Sequence, residues 1–150
     1  MNINTKITNP IYTGIFVNEE ELKAKYPSTY RNLFYHHSTI EFKPKDISNF
    51  PIGRKTTLKI VGRLITLKVD VLIVENPTSI DKYPHITLST AEGVKPFKSN
   101  SEIANNLSKI QPIDNDSIEG VYGIFDGNMI HKWIYTYSFQ REGICFKNKY

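Results

Sequence analysis

The chain carries a single cysteine, Cys145, which excludes an internal disulfide and fits a reducing interior. No stretch approaches the roughly 18 apolar residues that a membrane-spanning helix needs. The opening residues, Met1-Asn2-Ile3-Asn4-Thr5-Lys6, lack the apolar core of a signal peptide, so a cytoplasmic location is expected. There is no linker, no low-complexity tract and no glycine-rich nucleotide fingerprint. The four histidines, His36, His37, His85 and His131, lack the carboxylate or thiolate company of a usual metal site. No metal and no other cofactor is therefore expected.

The composition is that of an ordinary globular protein: 39% hydrophobic and 23% charged over 150 residues, with 8 Gly and 8 Pro. That length is expected to form one domain, residues 1–150, large enough for its own core. The net charge of +4 and pI near 9.1 suit an anionic partner, but the excess is too small for a nucleic-acid-wrapping surface. A small anionic substrate or a short nucleic-acid end fits better.

Ile11–Val17 is a compact, β-branched run and reads as the first strand, with Gly14 allowing a close approach of backbone or ligand. Asn18 followed by Glu19, Glu20 and Glu21 marks a helix start, and the helix should end near Lys25, ahead of Pro27. Leu33–Phe42 reads as the next strand. Thr56–Val61 and Leu64–Glu75 read as two more, broken at Gly62-Arg63. Another strand runs from His85 to Thr90. Ser99 and Glu102 have the spacing of a capping box opening a helix to about Ile110. Gln111–Ser117 reads as polar connection. Ile118–Phe125, Asp126-Gly127 and Met129–Phe139 read as a hairpin, and Gln140–Tyr150 as a short extra strand. The class is α+β, with helices outside a largely antiparallel sheet.

Two stretches repeat a pattern. His37-Ser38-Thr39-Ile40 and His85-Ile86-Thr87-Leu88, 48 positions apart, are both His-x-Thr followed by an aliphatic residue. Alternate side chains of a strand share a face, so His37 lies with Thr39 and His85 with Thr87. Ile40, Phe42, Ile86 and Leu88 then turn to the core. One imidazole can accept a proton while the other donates one, and two hydroxyls can hold phosphoryl oxygens. Phosphodiester cleavage needs both proton transfers at once, and the two hydroxyls can stabilise the charge that develops on the phosphoryl oxygens. Alternation also places His36 on the Ile40 side, as a structural residue, and His131 beside its turn is expected to be exposed. Cys145, between Ile144 and Phe146, reads as a packing residue.

These motifs resemble those of the 2H phosphoesterase superfamily, named for two His-x-Thr/Ser motifs. Its members include the LigT-like RNA 2′,3′-cyclic phosphodiesterases, the phosphodiesterase domain of tRNA ligases and phage enzymes that degrade cyclic-nucleotide immune signals. The resemblance implies a two-lobed α+β fold with a central cleft. It implies a metal-independent phosphoric diester hydrolase acting on a 2′,3′-cyclic phosphate or a cyclic (oligo)nucleotide. In such a site His85 would be the base that activates water and His37 the acid that protonates the leaving oxygen. Thr39 and Thr87 would hold the phosphate. The match rests on eight residues, and the motif spacing and chain length are short for the RNA phosphodiesterases.

Candidates for substrate contact follow from position. Tyr35 shares the His37 face, Tyr12 lies on the first strand, and Lys95 and Lys98 follow the second motif. Trp133, Tyr135, Tyr137 and Phe139 alternate along one strand face, as a base-stacking stripe would. Arg54 and Lys55 are further loop cations. The expected partner is a nucleotide or a short nucleic-acid end, with no membrane and no obligate protein partner. The alternative reading is a non-catalytic module that binds a nucleotide or RNA end in the same cleft. A third is a structural domain in which both motifs arise by chance.

Overall fold

In the computed structural model, which describes residues 7–132, the first strand β1 (Tyr12–Val17) is hydrogen-bonded on both sides. Helix α1 (Glu19–Lys25) follows, its first turn capped by Asn18, whose side chain accepts from the Glu21 N–H at 2.8 Å. Three glutamates at the positive end of the helix dipole add to that start. Next come β2 (Asn32–Leu33), β3 (His37–Phe42), β4 (Lys55–Ile65), β5 (Val69–Glu75) and β6 (His85–Thr90). Helix α2 (Lys98–Asn105), a short 3₁₀ turn at Leu107–Lys109, β7 (Gln111–Phe125) and β8 (Ile130–His131) complete the described residues.

The sheet closes on itself. The order β1-β3-β6-β5-β4-β7 returns to β1, because β1 pairs with β7 as well as with β3. Every pairing is antiparallel. The expected α+β class with a largely antiparallel sheet is present, but the two lobes and their central cleft are replaced by a six-stranded barrel. The Tyr12–Val17 run can bond both neighbours because its residues pair with Phe42–His37 on one edge and Phe125–Gly120 on the other. A closed ring leaves no room for a cleft between halves.

Alternation fills the inside. Ile15, Val17, Ile40, Leu58, Ile60, Leu72, Val74, Ile86, Leu88 and Ile118 form one buried cluster, with Leu22 of α1 joining it. Each such side chain contributes about 1.5–3 kcal/mol when fully removed from water. A smaller outer cluster of Leu64, Val69, Val71 and Ile103 seats α2 against the barrel wall. Arg63 grips the fully buried Asp70 with two hydrogen bonds, 2.9 and 2.8 Å, and also donates to the Pro27 carbonyl at 2.8 Å. The Thr29 N–H donates to the same carboxylate, tying the α1–β2 connection to the barrel.

Several boundaries differ from expectation. β4 runs unbroken through Gly62, which sits at a bulge where a Cβ would lie 2.6 Å from Ile110 and 3.2 Å from the Gln111 carbonyl. The turn comes later, at residues 66–68. Gln111–Ser117, expected as connection, is the first half of β7, paired with β4. The Leu33–Phe42 strand is broken in two, because Tyr35 adopts a left-handed conformation with φ of 64°. The Asp126-Gly127 turn leads into β8 as expected, its Asp126 carboxylate accepting from the Asn128 and Met129 N–H groups. Trp133, Tyr135, Tyr137, Phe139, Cys145 and the Gln140–Tyr150 strand lie outside the described residues.

Candidate active site on the barrel wall

One cross-strand pair organises the site. Ser38 of β3 pairs with Ile86 of β6, and both side chains are fully buried inside the barrel. The residues flanking them, His37 and Thr39 on one strand and His85 and Thr87 on the next, therefore project from the outer wall. All four are half-buried. The two motifs are brought together as the sequence pattern predicts, on neighbouring strands of the barrel wall.

Each histidine is held differently. The Nδ1 of His85 lies 2.9 Å from the Tyr83 carbonyl, which can only accept, so that nitrogen carries the proton. The Nε2 of neutral His85 is then the basic lone pair. Burial pushes the His85 pKa down, while the Tyr83 bond and the nearby Asp81 carboxylate oppose the shift. The Nε2 of His37 lies 3.0 Å from Thr39 Oγ1, and its Nδ1 lies 2.6 Å from Nδ1 of His36. Burial first, then the charges of His36 and His85, hold His37 well below the ordinary imidazole range. Thr87 Oγ1 meets the fully buried Ser99 Oγ at 2.8 Å.

The walls are aromatic on one side and helical on the other. Tyr12 stacks on His37 with ring centroids 4.4 Å apart, and its hydroxyl lies 3.3 Å from Nδ1. Phe16 lies beyond, 5.5 Å from the same imidazole, with the Lys132 ammonium 6.0 Å over its ring. The His37 ring passes over Gly14, where a Cβ would meet Ser38 O at 3.0 Å and His37 Cδ2 at 3.5 Å. On the opposite side, Val71 and Ile73 of β5 pair with Thr87 and His85, and α2 packs over that strand.

Tyr12 thus joins the site. Tyr35 does not: its left-handed backbone turns the ring inward, where it is fully buried and its hydroxyl bonds the Tyr26 carbonyl. His36 also departs from the expected face: it sits at a bend ahead of β3, where alternation does not apply, and lies against His37. Lys95 and Lys98 are exposed at the start of α2. Lys98 is adjacent in sequence to Ser99, and among the described residues no hydrogen bond or ion pair joins either lysine to the four motif side chains. Trp133 lies outside the described residues. Arg54 and Lys55 lead into β4, across the barrel from β3. His131 is half-buried and paired with Asp126 at 2.8 Å, not free in solvent.

Sequence reasoning missed Ser99, Phe16 and Lys132. Ser99 was assigned to a cap, yet α2 starts one residue earlier, at Lys98, and the Ser99 hydroxyl turns back to Thr87. Among the described residues no group of three His, Cys, Asp or Glu side chains could hold a metal ion. No helix among them is long and apolar enough to cross a membrane.

No family model matches this chain, and no curated protein does. Among solved structures it is similar to the crystal structure of a fungal RNA kinase, with 15% identity and a TM-score of 0.49. The likeness covers 83% of this chain and 44% of that one, so this chain spans less than half the length of that structure.

Proposed function

We propose that this protein is a phosphodiesterase that cleaves a nucleotide phosphodiester by paired-histidine acid–base catalysis, without a metal ion. The substrate is a 2′,3′-cyclic phosphate or a cyclic (oligo)nucleotide. The observation that supports this reading is the placement of His37, Thr39, His85 and Thr87 around the single Ser38–Ile86 pair. With a phosphodiester over that point, Nε2 of His85 takes the proton of the attacking water. The water oxygen bonds to phosphorus as the bond to the ribose oxygen breaks. Protonated His37 then gives its Nε2 proton to the departing oxygen. The Thr39 and Thr87 hydroxyls donate to the non-bridging oxygens, where negative charge builds in the transition state.

Burial alone would leave both imidazoles neutral, and an anionic phosphate between them restores the charged form of His37. Lys or Arg would serve simple phosphate binding as well, and two neutralisable imidazoles favour proton transfer.

The test is turnover in EDTA of a panel of 2′,3′-cyclic nucleotides, RNA ending in a cyclic phosphate, and cyclic dinucleotides. His37→Ala and His85→Ala should each lower kcat by about 10²–10⁴, the contribution of one positioned acid or base. Wild-type turnover that survives either substitution would overturn the mechanism. Binding without turnover by the wild-type protein would establish the nucleotide-binding module instead.

A further inference from the structure

The two motif histidines are alike in one respect. Each has its Nδ1 against a hydrogen-bonding partner, and the Nε2 of His37 meets the Thr39 hydroxyl. For His85 the partner is a backbone carbonyl, Tyr83 O. For His37 it is another imidazole, Nδ1 of His36 at 2.6 Å, the two ring planes inclined by only 16° with centroids 4.7 Å apart. A separation of 2.6 Å is far shorter than stacked rings permit, so the contact is edge to edge and one proton lies between the nitrogens.

The backbone is arranged to make this contact. In a regular strand His36 and His37 would point to opposite faces. Here His36 lies at a bend just ahead of β3, after Tyr35 in a left-handed conformation that costs a non-glycine residue roughly 1–3 kcal/mol, and its ring meets that of His37. It is held there by the Tyr35 N–H donating to Thr87 O, by the Val17 N–H donating to His36 O, and by the buried Tyr35 ring. Phe34 meets the His36 ring edge-on at 6.2 Å.

We infer that His36 is a positioning residue for His37, its Nδ1 accepting the His37 Nδ1–H so that Nε2 is the atom that gains and loses the catalytic proton. The catalytic part of this inference rests on the phosphodiesterase reading above. In the acid form, protonated His37 donates through Nδ1 to His36 and presents Nε2–H to the leaving oxygen. After that transfer Nδ1–H stays where it was, and Nε2 accepts from the Thr39 hydroxyl at 3.0 Å. No ring flip or tautomer exchange is needed between turnovers. The other charged or titratable groups around the pair are Glu19 of α1, Tyr12 of β1, His85 of β6 and Lys132 beyond β8. Of the groups making hydrogen bonds to His37 Nδ1, the neutral His36 imidazole is the better acceptor.

The test uses the full chain with ¹⁵N-labelled histidine, His36→Leu and His36→Asn. Asparagine retains an acceptor near the position of Nδ1; leucine removes it. At about pH 8, where ordinary imidazoles are neutral, His37 of the wild type should carry its proton on Nδ1. His36→Asn should keep that tautomer, and His36→Leu should lose it to a mixture. In turnover, His36→Leu should lower kcat about ten- to a hundredfold, part of the 10²–10⁴ a positioned acid supplies, with His36→Asn recovering most of it. A bare His37 Nδ1 in the wild type, or an unchanged tautomer in His36→Leu, would overturn the inference. A wild-type protein that shows the tautomer but turns over no phosphodiester would sink the phosphodiesterase reading and leave the pairing of the rings intact.

Discussion

The hydroxyl pair Thr87–Ser99 yields a prediction that separates a direct contact from an orienting one. Ser99 is fully buried, and its Oγ lies 2.8 Å from Thr87 Oγ1. A hydroxyl has one proton to give. If Ser99 donates to Thr87, the Thr87 proton is free to point at a phosphoryl oxygen. Replacing Thr87 by Val deletes the donor, and loss of one such donor costs about 10²–10³ in kcat. Replacing Ser99 by Ala leaves the donor but frees its rotor. The net value of one neutral hydrogen bond is about 1 kcal/mol, or roughly fivefold in rate. Because Ser99 acts only through Thr87, the double variant Thr87→Val/Ser99→Ala should be no slower than Thr87→Val alone. The assay is kcat and KM for all four proteins on one 2′,3′-cyclic nucleotide, with urea midpoints to confirm folding. A Ser99→Ala penalty of equal size in both backgrounds would refute the orienting role.

Two further predictions come from charge. The reaction needs one protonated and one neutral imidazole, and burial places both His37 and His85 below their ordinary range, so kcat/KM should fall about tenfold per pH unit above neutrality. A profile that stays flat from about pH 7 to 9, well above the ordinary imidazole range, would contradict this. Arg63→Met should destabilise the fold by about 3–5 kcal/mol in urea unfolding, since it strands the buried Asp70 carboxylate, whereas Arg63→Met/Asp70→Leu should recover most of the loss. A midpoint for Arg63→Met within error of wild type would show that the ion pair is not what holds the α1–β2 connection.

How far the sequence could be read depended on whether the signal was local. Strand alternation is local, and it placed His37 with Thr39 and His85 with Thr87 on one face. The Asn18 cap and the His85–Thr90 strand were legible for the same reason. Tyr35 was not. No glycine or asparagine in Phe34-Tyr35-His36 announces a left-handed residue, so alternation was carried through a break, and both Tyr35 and His36 were assigned the wrong face. Ser99 satisfied a capping pattern that the helix did not use. The barrel itself rests on β1 meeting β7, a pairing about a hundred positions apart in the numbering, and nothing in either strand alone signals it.

That closing seam also sets the order in which the molecule can be built. β3, β5 and β6 are contributed by the middle of the chain and can begin to associate once residues up to 90 are available. β1, synthesised first, finds its second partner only when Gly120–Phe125 has emerged. Until then one edge of β1 is unpaired, and the Tyr12 and Phe16 rings that wall in His37 stand on a strand fastened along one side. Long-range pairing of this kind slows folding, because the chain loses the entropy of a long loop before any contact at the seam repays it. The aromatic side of His37 therefore rests on a strand that is fastened along both edges only once β7 is in place.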